Sequence, residues 1–298
     1  MEPALPRSAP PNDLPADRLR LRPGTAGTVA VTPADAGWRY LTFRGHAMKR
    51  DEKVRVGGKT EETAIVTLSG AVFIELDGGG SFELPGRPSV WEGLPWAAYL
   101  PPGQLGMVRA VETARIAVAG APGSGRRGVA EEPQIIGPDQ VRIEIRGSGN
   151  ATRQVNHIIT PEFPADRLEV VEVYTPSGNW SSWPPHKHDT DAMPGEAVLE
   201  EVYYYAFRRP EAWGVQRLYR RDGSRDALWA VRDGEVVLVT DGYHPFVAIH
   251  GDDAYYLNAL AGDRRTMACS FDPDLEAVRE GWASMEPDPR VPLVGQTP

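Results

Sequence analysis

From residue 24 onward, short apolar runs alternate with glycine and proline. In the first part they fall at 27–32, 38–43, 64–68, 71–76, 89–91, 97–100 and 115–119. Each is strand-length with turn residues on both sides, and the run ending at Leu76 meets Asp77-Gly78-Gly79-Gly80, which reads as a strand entering a hairpin turn. A Gly- and Arg-rich stretch, 120–128, interrupts the pattern. It then resumes at 141–145, 154–159, 168–174, 202–207, 215–219, 227–231, 236–239, 248–250, 255–260 and 266–271. Only 275–285 reads as helix. Many short strands in two similar halves predict an all-β chain of two antiparallel jelly-roll barrels with a short C-terminal helix. The boundaries expected are a mobile or loosely docked arm over 1–22, with prolines at 3, 6, 10, 11 and 15, a first barrel over 23–122 and a second over 123–298.

Length and charge are consistent with this picture. A chain of 298 residues has room for two cores. A net charge of −9 argues against nucleic acid or an anionic membrane as partner. The one cysteine, Cys269, excludes an intramolecular disulfide and suggests a reducing cytoplasm. No run reaches the roughly 20 apolar residues of a membrane helix, and the first 22 residues lack the apolar core of a secretory signal. Exposed sheet edges make a homo-oligomer a further expectation.

The chemistry concentrates in the second half. The turn grammar after Val239 echoes the one after Tyr99, yet the first half has His46 as its only histidine, and Pro102 and Gln104 stand where the second half has His244. His186 and His188 are one residue apart, so on an extended segment both face one way and Lys187 faces the other, towards solvent. Two neutral imidazoles make half a metal site, and Glu201 and His244 on other strands offer the rest. His46, His157 and His250 lack a partner at ligand spacing and read as structural or solvent-facing.

The arrangement His-x-His, a later glutamate and a third histidine after a strand resembles the cupin pattern, with departures. Twelve residues separate His188 from Glu201, a longer spacer than usual, so Glu196 and Glu200 are rival ligands. Glu201 is preferred because it shares strand parity with Tyr203, Tyr205 and Phe207. Thr240 stands where proline is usual, and Ala248 where an asparagine is.

GNWSSWPPHKHD at 178–189, EEVYYYAF at 200–207, GVQRLY at 214–219, DGEVVLVTDGYHP at 233–245 and YYLNALAG at 255–262 resemble the 5-deoxy-glucuronate isomerase family of myo-inositol catabolism. TPADAGWRYLTF at 32–43, RPSVWEGLPWAAYLPPG at 87–103 and VAGAP at 118–122 extend the resemblance over roughly residues 24–285. The family is similar to the 4-deoxy-5-ketouronate isomerases of pectin degradation. The resemblance implies a two-cupin fold and one divalent metal on His186, His188, Glu201 and His244, with zinc favoured and manganese, iron or cobalt also suited.

It also implies an aldose–ketose isomerisation of 5-deoxy-D-glucuronate to 2-deoxy-5-keto-D-gluconate, in which a metal stabilises charge developing on a carbonyl oxygen. Glu201 is a candidate proton carrier and Tyr203 a candidate donor. Gln216 and Asn258, each on a strand face shared with apolar neighbours, either contact the sugar acid or satisfy buried backbone. Arg217 or Arg265 could hold the carboxylate, although Arg217 has the wrong parity if Gln216 points inward. The rival readings are 4-deoxy-5-ketouronate isomerase, a cupin dioxygenase and a non-catalytic sugar-acid-binding cupin.

Overall fold

A computed structural model describes residues 7–8 and 13–295. Its strands form two similar halves, each a large antiparallel sheet facing a smaller one. In the first half six strands run in the order Gln134–Ile136, Ala97–Leu100, Glu61–Ser69, Ala114–Pro122, Thr42–Met48 and Val29–Val31. They face four: Lys53–Gly57, Leu105–Ala110, Val72–Leu76 and Ser81–Leu84. In the second half seven strands run in the order Arg142–Arg146, Arg153–Ile159, Leu168–Thr175, Ala254–Ala261, Glu200–Phe207, Val236–Val239 and Arg20–Leu21. The smaller sheet there is Trp180–Ser181, Phe246–Ala248, Gly214–Tyr219 and Asp226–Val231. The chain is thus an all-β, two-jelly-roll bicupin.

The period of two in the strands sorts side chains between two interiors. Ile65, Ile116 and Val118 face Ile74, Leu84 and Val108 inside the first half, a cluster of aliphatic groups that fills it. Their neighbours Ala64, Val66, Ala117 and Ala119 turn the other way, into a core shared with Tyr204 and Leu257 of the second half. The two large sheets therefore pack back to back. Gly45 lets them approach: a Cβ there would sit 2.8 Å from the Tyr204 ring. Charge crosses this interface as well, where Arg87 pairs with Glu172 in full burial and Tyr255 donates to the same carboxylate at 2.7 Å.

Several expectations need correction. Of the arm expected over 1–22, residues 1–6 and 9–12 lie outside the described residues. Arg20–Leu21 is not loose: it pairs with Val236–Val237 as the last strand of the second half's large sheet, and Leu19 is fully buried behind it. The prolines end before Leu19, so the backbone donors from there on are free to join a sheet. Arg7–Ser8 pairs with Thr190–Asp191. The connector expected from Gly120 begins inside a strand, Ala114–Pro122, because Gly120 is needed where the Glu61 carboxylate would meet any Cβ at 2.5 Å. Gln134–Ile136, beyond the connector, still adds to the first half's large sheet.

The C-terminal helix is a 3₁₀ helix, Glu276–Ser284. A further short α-helix, Pro33–Ala36, is capped by Thr32 and Asp35 and closed by Gly37 at φ 67°. Among the described residues no helix is long and apolar enough to cross a membrane.

Candidate metal centre and its cavity

On Glu200–Phe207, alternation turns Glu201, Tyr203 and Tyr205 inward and Glu200, Val202 and Tyr204 outward. Glu201 sits between Leu260 and Val239 on the neighbouring strands. Glu200 accepts hydrogen bonds from the backbone N–H groups of Arg39, Tyr40 and Leu41 at 2.6–2.9 Å, so its carboxylate is spent on the other half. Glu196 accepts from the amides of Asp189 and Thr190, both at 2.8 Å, and from Lys187 Nζ at 2.8 Å. It ties the long spacer down. Lys187, expected to face solvent, is instead held by Asp189 and Glu196, because the spacer folds back and brings Glu196 over it.

The histidines are oriented by backbone carbonyls. His188 Nδ1 lies 2.9 Å from Leu199 O, His244 Nδ1 3.0 Å from Gly242 O, and His186 Nδ1 3.4 Å from Pro184 O. A proton on Nδ1 given to a carbonyl leaves the Nε2 lone pair for a metal. His188 Nε2 is 2.9 Å and His244 Nε2 3.4 Å from the same Glu201 oxygen, and the ligand atoms of these three residues all lie within 4.8 Å. The His186 ring stands beside this trio, its centroid 4.6 Å from that of His244 and 6.4 Å from that of His188.

Electrostatics agree with this orientation for His186 and His244. Burial, reinforced by the neighbouring imidazoles, pulls His186 and His244 down to about 3, so both rings are neutral. Burial opposes charge on His188 too, but the hydrogen bond and charge of Glu201 outweigh it and raise that ring. His244 Nε2 is buried without a hydrogen-bond partner. An orphaned lone pair beside a carboxylate and a second imidazole is the donor set a divalent metal requires, and the residues fit one.

A cavity of about 540 Å³ opens on the site, lined by His186, His188 and Glu201 together with Trp183, Phe271 and Trp282. Tyr203 stands behind it, its hydroxyl 2.7 Å from Ser182 Oγ and its ring centroid 5.9 Å from that of His244. Gln216 is fully buried; it receives the Tyr205 hydroxyl at 2.6 Å and donates to the His244 carbonyl at 2.7 Å. Asn258 donates to Val202 O at 3.1 Å.

The structure does not bring Arg217 or Arg265 to the cavity. Arg217 forms a two-point pair with Asp226 on the exposed face, and Arg265 spends its fork on the carbonyls of Thr160, Phe163, Ala165 and Leu168. Sequence reasoning missed Glu144, Arg146 and Arg153, which line the cavity instead. The signal was present in Arg142-Ile143-Glu144-Ile145-Arg146, where charged residues alternate with isoleucines. Ile145 is 37% exposed, so it is the charged face of this strand that turns in.

A profile of the KduI/IolB family matches residues 17–278. The chain belongs to that family. A relative from Geobacillus kaustophilus (strain HTA426), named 5-deoxy-glucuronate isomerase, is 40% identical over 253 residues, covering 85% of this chain and 90% of that protein. The protein of the same name from Bacillus subtilis (strain 168) is 35% identical over 253 residues, 84% of this chain and 92% of its own. An IolB-like protein from Salmonella typhimurium LT2 superposes with a TM-score of 0.79 at 34% identity over 84% of this chain and 94% of that one. An oxalate decarboxylase from Lactobacillus farciminis shares the fold alone, with a TM-score of 0.59 at 11% identity, over 87% of this chain and 90% of that one. As a KduI/IolB member with such relatives, the chain is an isomerase.

Proposed function

We propose that this protein converts 5-deoxy-D-glucuronate to 2-deoxy-5-keto-D-gluconate, an aldose–ketose isomerisation in myo-inositol catabolism, with one divalent metal held by His186, His188, Glu201 and His244. The observation that carries the reading is the convergence of two imidazole Nε2 atoms on one Glu201 oxygen at the wall of a cavity that His188 and Glu201 line. Zinc suits the donor set first, with manganese, iron and cobalt also accommodated. When bound, the metal supplies Lewis-acid stabilisation of the negative charge on the substrate oxygen as the neighbouring C–H proton leaves.

The chain's own groups do the rest. The carbonyls of Pro184, Leu199 and Gly242 fix the imidazole tautomers, and Gln216 fixes the His244 backbone. Tyr203 is wholly buried, which pushes its phenol well above the ordinary tyrosine range and keeps it protonated; its part in this reading is hydrogen-bond donation. Glu201 is the proton carrier by its position on the cavity wall. Trp183 and Trp282 restrict water at the lining.

In the same reading the first half, with Gln134–Ile136 added to its large sheet, is a scaffold, and the second half, with Arg20–Leu21 added to its own, holds the chemistry. A cytoplasmic setting, a small sugar acid as partner in place of nucleic acid, and a homo-oligomer joined at sheet edges go with it.

The test is NMR of 5-deoxy-D-glucuronate with metal-stripped and metal-restored protein, and with His186→Ala. Activity that returns with metal and is lost in the variant supports the proposal. Turnover of 4-deoxy-5-ketouronate in place of the first substrate would move the assignment to pectin degradation, and inertness towards both would overturn it.

A further inference from the structure

Arg146 and Arg153 stand directly opposite each other on the antiparallel pair Arg142–Arg146 and Arg153–Ile159. Like charges in facing positions repel, so each needs a counter-ion. Arg146 has one: its Nε and Nη2 bind both oxygens of Glu144 at 2.8 and 2.9 Å. Arg153 has none. It is 6% exposed, its hydrogen bond runs from Nη1 to the Ala151 carbonyl at 3.1 Å, and among the described residues no carboxylate pairs with it.

A buried guanidinium without an anion is costly, and folds keep one where something else supplies the charge. Burial first, and then the charge of Arg146, pull Arg153 down to about 10, against the opposing charge of Glu144, which is bonded to Arg146. Arg153 and Arg146 line the same cavity as His186, His188 and Glu201. Their positive charges are felt at the His186 ring. One cavity therefore holds a metal-type donor set and a cation without an ion-pair partner among the described residues, while the other arginines considered for the task, Arg217 and Arg265, are committed elsewhere.

We propose that Arg153, with Arg146 beside it, is the carboxylate clamp of this cavity, receiving the acid end of a sugar-acid substrate while the aldehyde end lies at the histidines. The inference rests on the isomerase reading for the identity of the substrate, but not for the anion site itself. A guanidinium fork meets a carboxylate in two parallel hydrogen bonds, which would fix the substrate's direction as well as its position.

The experiment compares metal-loaded wild type with Arg153→Gln, Arg153→Lys and Arg279→Gln, the last altering a cavity arginine stacked 4.4 Å from the Phe271 ring. Thermal melts are read with and without D-gluconate, an unreactive sugar acid, and metal content is measured in each. Arg153→Gln is expected to melt at or above the wild-type temperature without ligand, because a buried charge without an ion-pair partner is gone, and to lose the gluconate shift while keeping its metal. Arg153→Lys is expected to keep a reduced shift. With 5-deoxy-D-glucuronate, KM should rise about 30–100-fold in Arg153→Gln, the loss expected for a charged hydrogen-bonded pair, with kcat less affected.

A gluconate shift unchanged in Arg153→Gln, or a loss confined to Arg279→Gln, would overturn the clamp. So would an Arg153→Gln variant that melts well below wild type with its gluconate shift intact, since that marks a packing role at Ala151. If wild type binds gluconate through Arg153 yet leaves the uronate unchanged, the clamp stands and the substrate assignment fails.

Discussion

Glu62 and Glu200 perform the same task in opposite directions. Glu62, on Glu61–Ser69 of the first half, accepts hydrogen bonds from the amides of Asp166, Arg167 and Leu168 at 2.6–2.8 Å, and Glu200, at the matching end of Glu200–Phe207, accepts those of Arg39, Tyr40 and Leu41. Each half thus satisfies three backbone donors of the other. The pair separates binding from architecture: Glu200 and Glu201 are neighbours in sequence, yet one holds the halves together and the other faces the histidines.

Glu200→Gln and Glu201→Gln should therefore fail in different ways. Replacing an oxygen of Glu200 by an amide nitrogen sets a donor against a donor in a buried site, at a cost of about 1–3 kcal/mol. That variant should melt lower and retain its metal by elemental analysis. Glu201→Gln should lose metal affinity.

Metal removal should lower the melting temperature of wild type but not of His188→Ala or His244→Ala. A ligand present at about 1,000 times its Kd stabilises by about 4 kcal/mol, and these variants have no such term to lose. Melts with and without a chelator read the difference.

Gln216→Met should weaken metal binding by about 10–100-fold without removing a ligand, because the hydrogen bond that sets the His244 backbone is lost. Titration of stripped protein with zinc checks this. An unchanged zinc affinity would mean that His244 is positioned by packing alone.

Arg87→Met should destabilise by about 3–5 kcal/mol, since it leaves Glu172 as an unpaired charge in the core between the halves. Arg87→Met combined with Glu172→Met should recover much of that loss. Denaturant unfolding of these two variants and of Glu172→Met alone closes the cycle.

Glu169 carries a pH dependence. Its carboxylate is buried, and burial raises it to about 7 despite the nearby charge of Arg265 and the backbone N–H of Thr266, with Glu162 adding to the rise and His188 opposing it. Below the unfolded value both states hold the proton. As pH climbs to about 7 the unfolded chain has released it and the folded chain has not, so stability falls with rising pH. Wild type should lose about 2–3 kcal/mol from this group between pH 5 and pH 8, and Glu169→Gln should not. Unfolding free energies at the two pH values decide it.

What the sequence determined by itself is what period and punctuation encode. Strand-length apolar runs between glycines and prolines specify an all-β chain in two halves. Alternation along Glu200–Phe207 separates Glu201 from Glu200 because side-chain direction in a strand depends only on the residue's own parity. The two histidines around Lys187 share a face for the same reason.

What tertiary structure decided is which groups meet and which go without a partner. Lys187 is anchored by a glutamate nine positions on, because the spacer folds back over it. Arg265 is tied to carbonyls over a hundred positions away, and Leu19 is buried by a strand over two hundred positions on. Arg153 was legible only as one arginine among many. That it lacks an ion-pair partner among the described residues depends on strand register, on Glu144 choosing Arg146, and on burial in a shared cavity, and these are sums over distant parts of the chain that no local pattern carries.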